Sequence, residues 1–410
     1  MFIRPSYFRP KKICNPKSAI CNRKACLSKP HRAKQDPLKI LIIPDKFKGT
    51  LTARQAAEAI AEGWRAIRED DQLELLPMSD GGDGFGEIIG GMMGAEPIEV
   101  DTIDAAHRPH KAKFWLHPPS STAIIEAAQV NGLALLPPGK FHPFELDTYG
   151  LGKVYVKAIK AGAKVIYFGI GGSSTNDGGF GFGRAIGWKF LDQRGGLIKK
   201  WTELEALTRI IAPRLNLVPT IVGVDVQNPL LGPTGASEIY GPQKGLRPED
   251  MPEAEACLRR LTEAPVEGEF SSLVEFARIP GSGAAGGLGF GLSAFADATF
   301  QSGFDIFAGI AELEMRLKTA DIVISGEGSM DAQSLMGKGV GALYQLCKKK
   351  NVKFIGLAGS LSLDLAGRLE TAASLWSIVP TLATLDQAKA KPAKYLRLLA
   401  SEAAKNVTSV

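Results

Sequence analysis

The chain has 410 residues, 45% of them hydrophobic, and a formal net charge of +6. No apolar run reaches the roughly 20 residues that cross a membrane, which predicts a soluble protein with no membrane partner. The charge is uneven: residues 1–37 carry ten Lys/Arg and one acid, so the body holds 39 basic against 42 acidic residues, no electrostatic footprint for nucleic acid.

The arm 1–37 is rich in proline and poor in acid, a composition that predicts disorder. It suits an organelle transit peptide, or else a solvated tail or a start site placed too far upstream. Beyond it stand two cysteines, Cys257 and Cys347, too few for a disulfide framework, so a reducing, cytoplasmic setting is expected, or an organelle if the arm is a transit peptide.

From Leu38 the pattern is α/β. Ile40-Leu41-Ile42-Ile43 reads as a buried strand that runs into Pro44-Asp45-Lys46-Phe47-Lys48. Thr52 and Gln55 form a capping-box signature for a helix through Ala56, Ile60 and Trp64. A strand over 73–78 leads to Ser79-Asp80-Gly81-Gly82-Asp83-Gly84, then a helix over 85–93. Strand, crossover helix and strand make a parallel unit.

Alternation over 97–101, 111–115 and 122–126 predicts an antiparallel meander. A helix over 148–161, a strand over 164–170, a helix over 180–190 and a strand over 218–224 follow. A helix over 252–263 and a glycine- and alanine-rich helix over 283–300 come next. Thereafter helices at 311–318 and 340–350 alternate with strands at 321–325, 354–358 and 375–379. The middle segment therefore reads as an insertion: a parallel α/β domain from 38–94 and 286–410, interrupted by a second α/β domain over 95–285.

Four strands end in turns of Gly, Ser, Asp and Lys, a way of bringing backbone N–H groups to an anion. Open α/β sheets bind ligands at the carboxyl ends of their strands, so these turns predict one cleft for phosphate and metal. Lys46 and Lys48 are compact charges for a carboxylate or a phosphate. Asp80 and Asp83 suit Mg²⁺, which takes one or two carboxylates with phosphate oxygens and water. Asp80 is equally a candidate base for a substrate hydroxyl proton.

In Gly169-Ile-Gly171-Gly172-Ser173-Ser174-Thr175-Asn176-Asp177, Gly171, Gly172, Ser173 and Asn176 are candidates to meet phosphate or substrate oxygens. Asp177 is a metal ligand, a base, or simply the cap of the next helix. Asp225 and Asn228, which follow the strand 218–224, are substrate-binding candidates together with Asp45 and Lys46, and Lys244 is a candidate for stabilising a transferred phosphoryl group. Gly326, Glu327, Asp331 and Lys338 follow the strand 321–325 as nucleotide and metal candidates. Gly281, Gly283 and Gly286 fit a dinucleotide fingerprint literally, but no strand precedes them. A glycine-led helix start that meets a phosphate or another helix is the reading for Gly283 and Gly286.

The phrases Pro44-Asp45-x-Phe47-Lys48, Asp80-Gly81-Gly82-x-Gly84, Gly169-Ile170-Gly171-Gly172-Ser173-x-Thr175-Asn176-Asp177-Gly178-Gly179, Asn228-Pro229-Leu230-x-Gly232-Pro233-x-Gly235-Ala236-Ser237, Gly241-Pro242-Gln243-Lys244-Gly245 and Gly326-Glu327-Gly328 occur in fixed order. In order and spacing they resemble the bacterial class I glycerate kinases, over about 38–385. The resemblance implies a flavodoxin-like α/β domain interrupted by a restriction-endonuclease-like one. It also implies ATP- and Mg²⁺-dependent phosphorylation of D-glycerate, usually to 2-phosphoglycerate, by a monomer or homodimer. Asp83 departs from the usual Glu, Met78-Ser79 from the usual small pair, and Ser329-Met330-Asp331 from Arg-Ile/Leu-Asp.

Overall fold

The computed structural model describes residues 36–407 apart from 80, 83, 215, 268–271, 332–338 and 363–372. The expectation for the basic arm, and those for Asp80, Asp83 and Lys338, lie outside the described residues. The chain divides into two units, Met1–Asp36 and Pro37–Val410, and every described element belongs to the second.

The strands are β1 (Lys39–Ile42), β2 (Gln72–Leu75), β3 (Glu96–Ile103), β4 (Pro109–His117), β5 (Thr122–Glu126), β6 (Val165–Gly169) and β7 (Lys189–Asp192). They continue as β8 (Leu207–Ile211), β9 (Thr220–Gly223), β10 (Val266–Glu267), β11 (Thr299–Gln301), β12 (Ile322–Met330), β13 (Lys353–Leu361) and β14 (Ala373–Val379). One sheet has the order β2-β1-β12-β13-β14, parallel throughout. This is the flavodoxin-like order, whose direction reverses between its first and third strands, here β1 and β12.

Period-two burial explains why this sheet is covered on both faces. Ile40 and Ile42 pack with Ile322 and Ile324 against the helices Ala53–Arg65 and Pro392–Lys405. Leu41, Ile43 and Val323 point the other way, into a core shared with helices Phe85–Met93, Gly303–Ile310 and Val340–Lys350 and with Trp115 and Ile124 of the second sheet. The helix Ala53–Arg65 begins on the Thr52/Gln55 capping box read from sequence.

The second sheet is mixed, in the order β11-β9-β6-β5-β4-β3. β3, β4 and β5 form the expected antiparallel meander, and β5, β6, β9 and β11 continue in parallel. β11 lies in this sheet although it follows the expected break at 285/286. A third sheet, β10-β8-β7, was not legible in the sequence, because its strands are short and carry no clean alternation.

Several expected elements change bounds: the strand expected over 73–78 ends at Leu75 and that over 354–358 runs to Leu361, and three further changes bear on the site. The helix over 180–190 stops at Ala185: Gly187 has a φ of 109°, and the chain turns into β7. The glycine-rich helix covers Ala284–Ala296, with Ala285, Gly286 and Gly287 at φ of 57°, 70° and 82° kinking its first turn, and Asp297 in the left-handed region ends it. The strand expected over 321–325 runs to Met330, because Glu327, Ser329 and Met330 stay paired with β13. Gly326 and Glu327 therefore sit within a strand and not in a turn.

Candidate active site

The reversal point between β1 and β12 gathers the first group of predicted residues. The Asp45 N–H donates to the Gly326 carbonyl at 2.8 Å, and the Ser325 hydroxyl donates to the Ile43 carbonyl at 2.6 Å. Asp45 and Lys46 are half-buried here, and Lys48 is exposed. Gly339 opens the helix Val340–Lys350 beside them: a Cβ placed on it would stand 4.0 Å from Asp45 Oδ2 and 3.6 Å from Met78. Glu327 comes from the strand next to Asp45, and Asp331, exposed, follows the end of that strand.

The glycine turns after β2 and β6 meet backbone to backbone. The Gly171 N–H donates to the Gly81 carbonyl at 3.1 Å, and a Cβ on Gly171 would lie 2.5 Å from Gly82 Cα. No larger residue fits this approach without parting the two turns. The Gly172 carbonyl accepts from the Leu133 N–H at 2.8 Å. The chain leaving β2, in the parallel sheet, is thereby bound to the carboxyl end of β6, in the mixed sheet.

Behind this contact lies a buried polar cluster. Ser174 donates from its backbone and its hydroxyl to the Asn131 carbonyl. Asn131 Nδ2 donates to Ser173 Oγ at 3.4 Å and Thr175 Oγ1 at 3.2 Å, and Asn176 Nδ2 donates to Ser237 Oγ at 2.9 Å. Among the described residues nothing hydrogen-bonds the buried amide oxygens of Asn131 and Asn176. Such acceptors call for a donor from outside the chain, a substrate hydroxyl or a water.

Asp177 is fully buried. Its Oδ2 accepts from the Thr148 N–H at 2.9 Å, the Thr148 hydroxyl at 2.8 Å and the Gly181 N–H at 2.9 Å, and its Oδ1 from the Gly179 N–H at 3.1 Å. The N-cap of the helix Phe180–Ala185 is Gly179, and the Asp177 carboxylate, two residues upstream, ties that helix start to Thr148. Burial, with the charge of Asp147 added, raises its pKa to about 6 despite those donors. Lys244 is also buried, and its Nζ donates to the Thr175 carbonyl at 2.7 Å. Burial brings its pKa down to about 7, opposed by the charge of Asp177.

Gly283 and Gly286 are taken up by the chain itself. Gly283 N–H donates to the Asn228 carbonyl and Gly286 carbonyl accepts from Gly178 N–H. A Cβ on Gly286 would fall 1.9 Å from the Thr175 carbonyl oxygen and 2.7 Å from Lys244 Nζ. The kinked helix start thus serves as the floor of the glycine loop. Asn228 binds within its own loop, donating to the Thr234 carbonyl and accepting from the Tyr240 hydroxyl. Asp225 Oδ1 accepts from Gly303 N–H at the start of a helix between the sheets.

Asn131 and Glu126 were not singled out from the sequence. Glu126 ends β5 at 3% exposure, and its only sequence signal is a carboxylate closing an otherwise apolar buried strand.

The donor chemistry fits a divalent cation in part. Asp45 and Glu327 bring hard oxygen donors from adjacent strands, as Mg²⁺ requires when phosphate and water complete its shell. No cluster of three or more His, Cys, Asp or Glu with metal-binding geometry occurs among the described residues.

A flavodoxin-ordered sheet whose reversal point carries carboxylates and lysines, tied by glycine turns to a second sheet, defines a phosphotransferase-type α/β enzyme. Residues 40–408 match the glycerate kinase family model, and the chain belongs to that family. It is 37% identical over 377 residues to the glycerate kinase of Halalkalibacterium halodurans, covering 90% of this chain and 97% of the relative. It is 36% identical over 358 residues to the glycerate 2-kinase of Escherichia coli K12, covering 86% and 93%. A crystal structure of a Salmonella typhimurium LT2 protein described as a glycerate kinase 2 superposes with a TM-score of 0.74 at 31% identity, covering 90% of this chain and 98% of that one. No described helix is long and apolar enough to cross a membrane.

Proposed function

We propose that the protein transfers the terminal phosphoryl group of ATP to the 2-hydroxyl of D-glycerate, with Mg²⁺, where the glycine turns of the two sheets meet. The observation that carries this reading is the Gly81–Gly171 contact. It joins the charged strand ends of the parallel sheet to the hydroxyl- and amide-rich loop of the mixed sheet, so one bound complex can touch both.

Phosphoryl transfer asks little covalent chemistry of a protein and much positioning and charge neutralisation. Lys46 and Lys48 meet phosphate or the glycerate carboxylate. Ser173, Asn131 and Asn176 face the glycerate oxygens, the two amide oxygens accepting from its hydroxyls. Asp80 takes the proton of the attacking hydroxyl. Asp45, Asp83, Glu327 and Asp331 are the carboxylates from which Mg²⁺ is held; when bound, it neutralises phosphate charge. Lys244 and Asp177 act from behind the loop by fixing its backbone. The name of the Escherichia coli relative supports the 2-hydroxyl over the 3-hydroxyl. The inserted part is read as running to Gln301, the end of the mixed sheet's last strand.

A coupled assay of ADP release, with and without D-glycerate, tests the reaction. Release that requires both D-glycerate and Mg²⁺ is expected, with ³¹P NMR showing 2-phosphoglycerate. Release independent of D-glycerate overturns the substrate, and a 3-phosphoglycerate signal overturns the position.

A further inference from the structure

The helix Phe85–Met93 follows the glycine turn after β2, and its first turn offers N–H groups that no side chain of its own segment satisfies: Gly84 stands at the cap position with no side-chain bond. A glycine turn opening a helix reads as a place for an anion. The chain fills that place itself. Glu126, from the far end of β5, accepts from the Gly84 N–H through Oε1 at 2.9 Å and from the Gly86 N–H through Oε2 at 3.0 Å. An ionised carboxylate at a helix N-terminus is held by two charge-assisted bonds and by the helix dipole.

The two partners come from different sheets. Glu126 ends β5 of the mixed sheet, whereas the turn it grips arrives from β2 of the parallel sheet. Upstream, the same turn is held by the Gly171 N–H on the Gly81 carbonyl. Downstream, Gly86 and Gly90 press on Trp115 so closely that a Cβ on Gly86 would lie 1.9 Å from its ring. The crossing between sheets is therefore pinned on the mixed-sheet side at Gly81, at Gly84 and Gly86, and at Trp115.

We infer that Glu126 is a positioning residue for the phosphoryl transfer: its carboxylate fixes the turn after β2 against the carboxyl end of the mixed sheet and occupies the helix start that a phosphate would otherwise take. The inference rests on the reading that this turn takes part in the reaction. It assigns no contact between Glu126 and substrate. A misplacement on the order of 1 Å in such a turn costs about 10²-fold in rate.

The test uses the full chain with Glu126→Gln and Glu126→Asp. The first substitution leaves an amide that keeps one acceptor and turns a donor toward the other N–H, while the second keeps the charge but falls one methylene short. For Glu126→Gln, kcat is expected to fall about 10- to 100-fold with KM for D-glycerate and for ATP within about threefold of wild type. Hydrogen exchange in the peptide covering 79–94 should rise in the same variant, a readout independent of turnover. Glu126→Asp should recover part of the kcat. A folded Glu126→Gln with wild-type kcat and unchanged exchange overturns the inference, as does a rise of tenfold or more in the Mg²⁺ requirement, which would make Glu126 a metal ligand. If Glu126→Gln does not fold, Glu126→Asp decides: unaltered exchange and kcat overturn the inference. A wild-type protein that fails to phosphorylate glycerate sinks the functional reading instead, and the exchange experiment still reports on the clamp.

Discussion

The Lys244 ammonium donates to the Thr175 carbonyl at 2.7 Å from a side chain left 7% exposed. It is a titratable amine placed under a loop of backbone, and its burial has a consequence for stability. In the unfolded chain a lysine keeps its proton to about pH 10.4; in the folded protein burial brings Lys244 down to about 7. Across the interval the unfolded state binds the extra proton, so this residue's contribution to stability grows as pH rises from 7 towards 10. Lys244→Met removes that contribution. In urea unfolding at pH 6.5, 8 and 9, the wild type should gain stability relative to the variant at each step. Parallel pH dependences would show that Lys244 does not titrate in this window.

Asp177 and Asp80 look alike in the sequence, each following a strand and preceding a helix, yet only Asp177 lies among the described residues. Four donors converge on its carboxylate. Asp177→Asn puts an amide N–H among N–H donors, and a loss of about 1–3 kcal/mol is expected, the cost of unsatisfying buried groups. At pH 7.5, above its pKa of about 6, Asp177 is ionised in the wild type, so the comparison is between charge and amide. Turnover per folded molecule should stay within about threefold, as for a group outside the reacting atoms. Asp80→Asn should do the reverse, abolishing most turnover while leaving the melting temperature in place. Loss of turnover in a stably folded Asp177→Asn would return Asp177 to the reaction.

What the sequence made legible was the strand-to-glycine rhythm. Ile40–Ile43, Val165–Phe168 and Ile322–Ile324 are apolar enough to be buried strands under any fold, and the polar turns after the first two stand where they were expected. Long-range capping was not legible. Glu126 lies far along the chain from the Gly84 and Gly86 N–H groups it holds, and no local spacing encodes that pairing. The glycines misled for a related reason: Gly286 reads as a ligand glycine, but its missing side chain makes room for the Thr175 carbonyl. Glycine at a backbone–backbone contact and glycine at a phosphate look the same in one dimension. Gly326 and Glu327 fell inside a strand because β13 keeps pairing past the end of β1, which only the sheet order reveals.

Gly171 offers a test of spacing alone. A methyl group there would stand 2.5 Å from Gly82 Cα and 3.3 Å from the Gly81 carbonyl oxygen, so Gly171→Ala must separate the two turns. Overpacking of this kind costs about 1–3 kcal/mol, and the displaced turns should lower kcat by about 10- to 100-fold. Thermal unfolding and kcat measured on the same preparation check both. A variant with wild-type turnover would mean that the reaction does not depend on the register of these turns.

Lys48 is exposed just past β1, where no core packing holds it, so its removal should leave the melting temperature within about 1 °C, as for surface substitutions generally. Its charge is another matter. If it meets the glycerate carboxylate or a phosphate, Lys48→Met should lower kcat/KM by about 10²-fold, the scale of one preorganised charge. The two contacts separate in the kinetics. A lysine on the glycerate carboxylate acts on ground state and transition state alike, so its loss appears mainly in KM for glycerate. A lysine on the transferring phosphoryl group meets charge that redistributes in the transition state, so its loss appears in kcat. Substitution by Arg restores a contact that only needs charge and fails where the compact ammonium is required. Near-wild-type kcat/KM for Lys48→Met, at any concentration of either substrate, would remove Lys48 from the site and leave Lys46 as the cation at the end of β1.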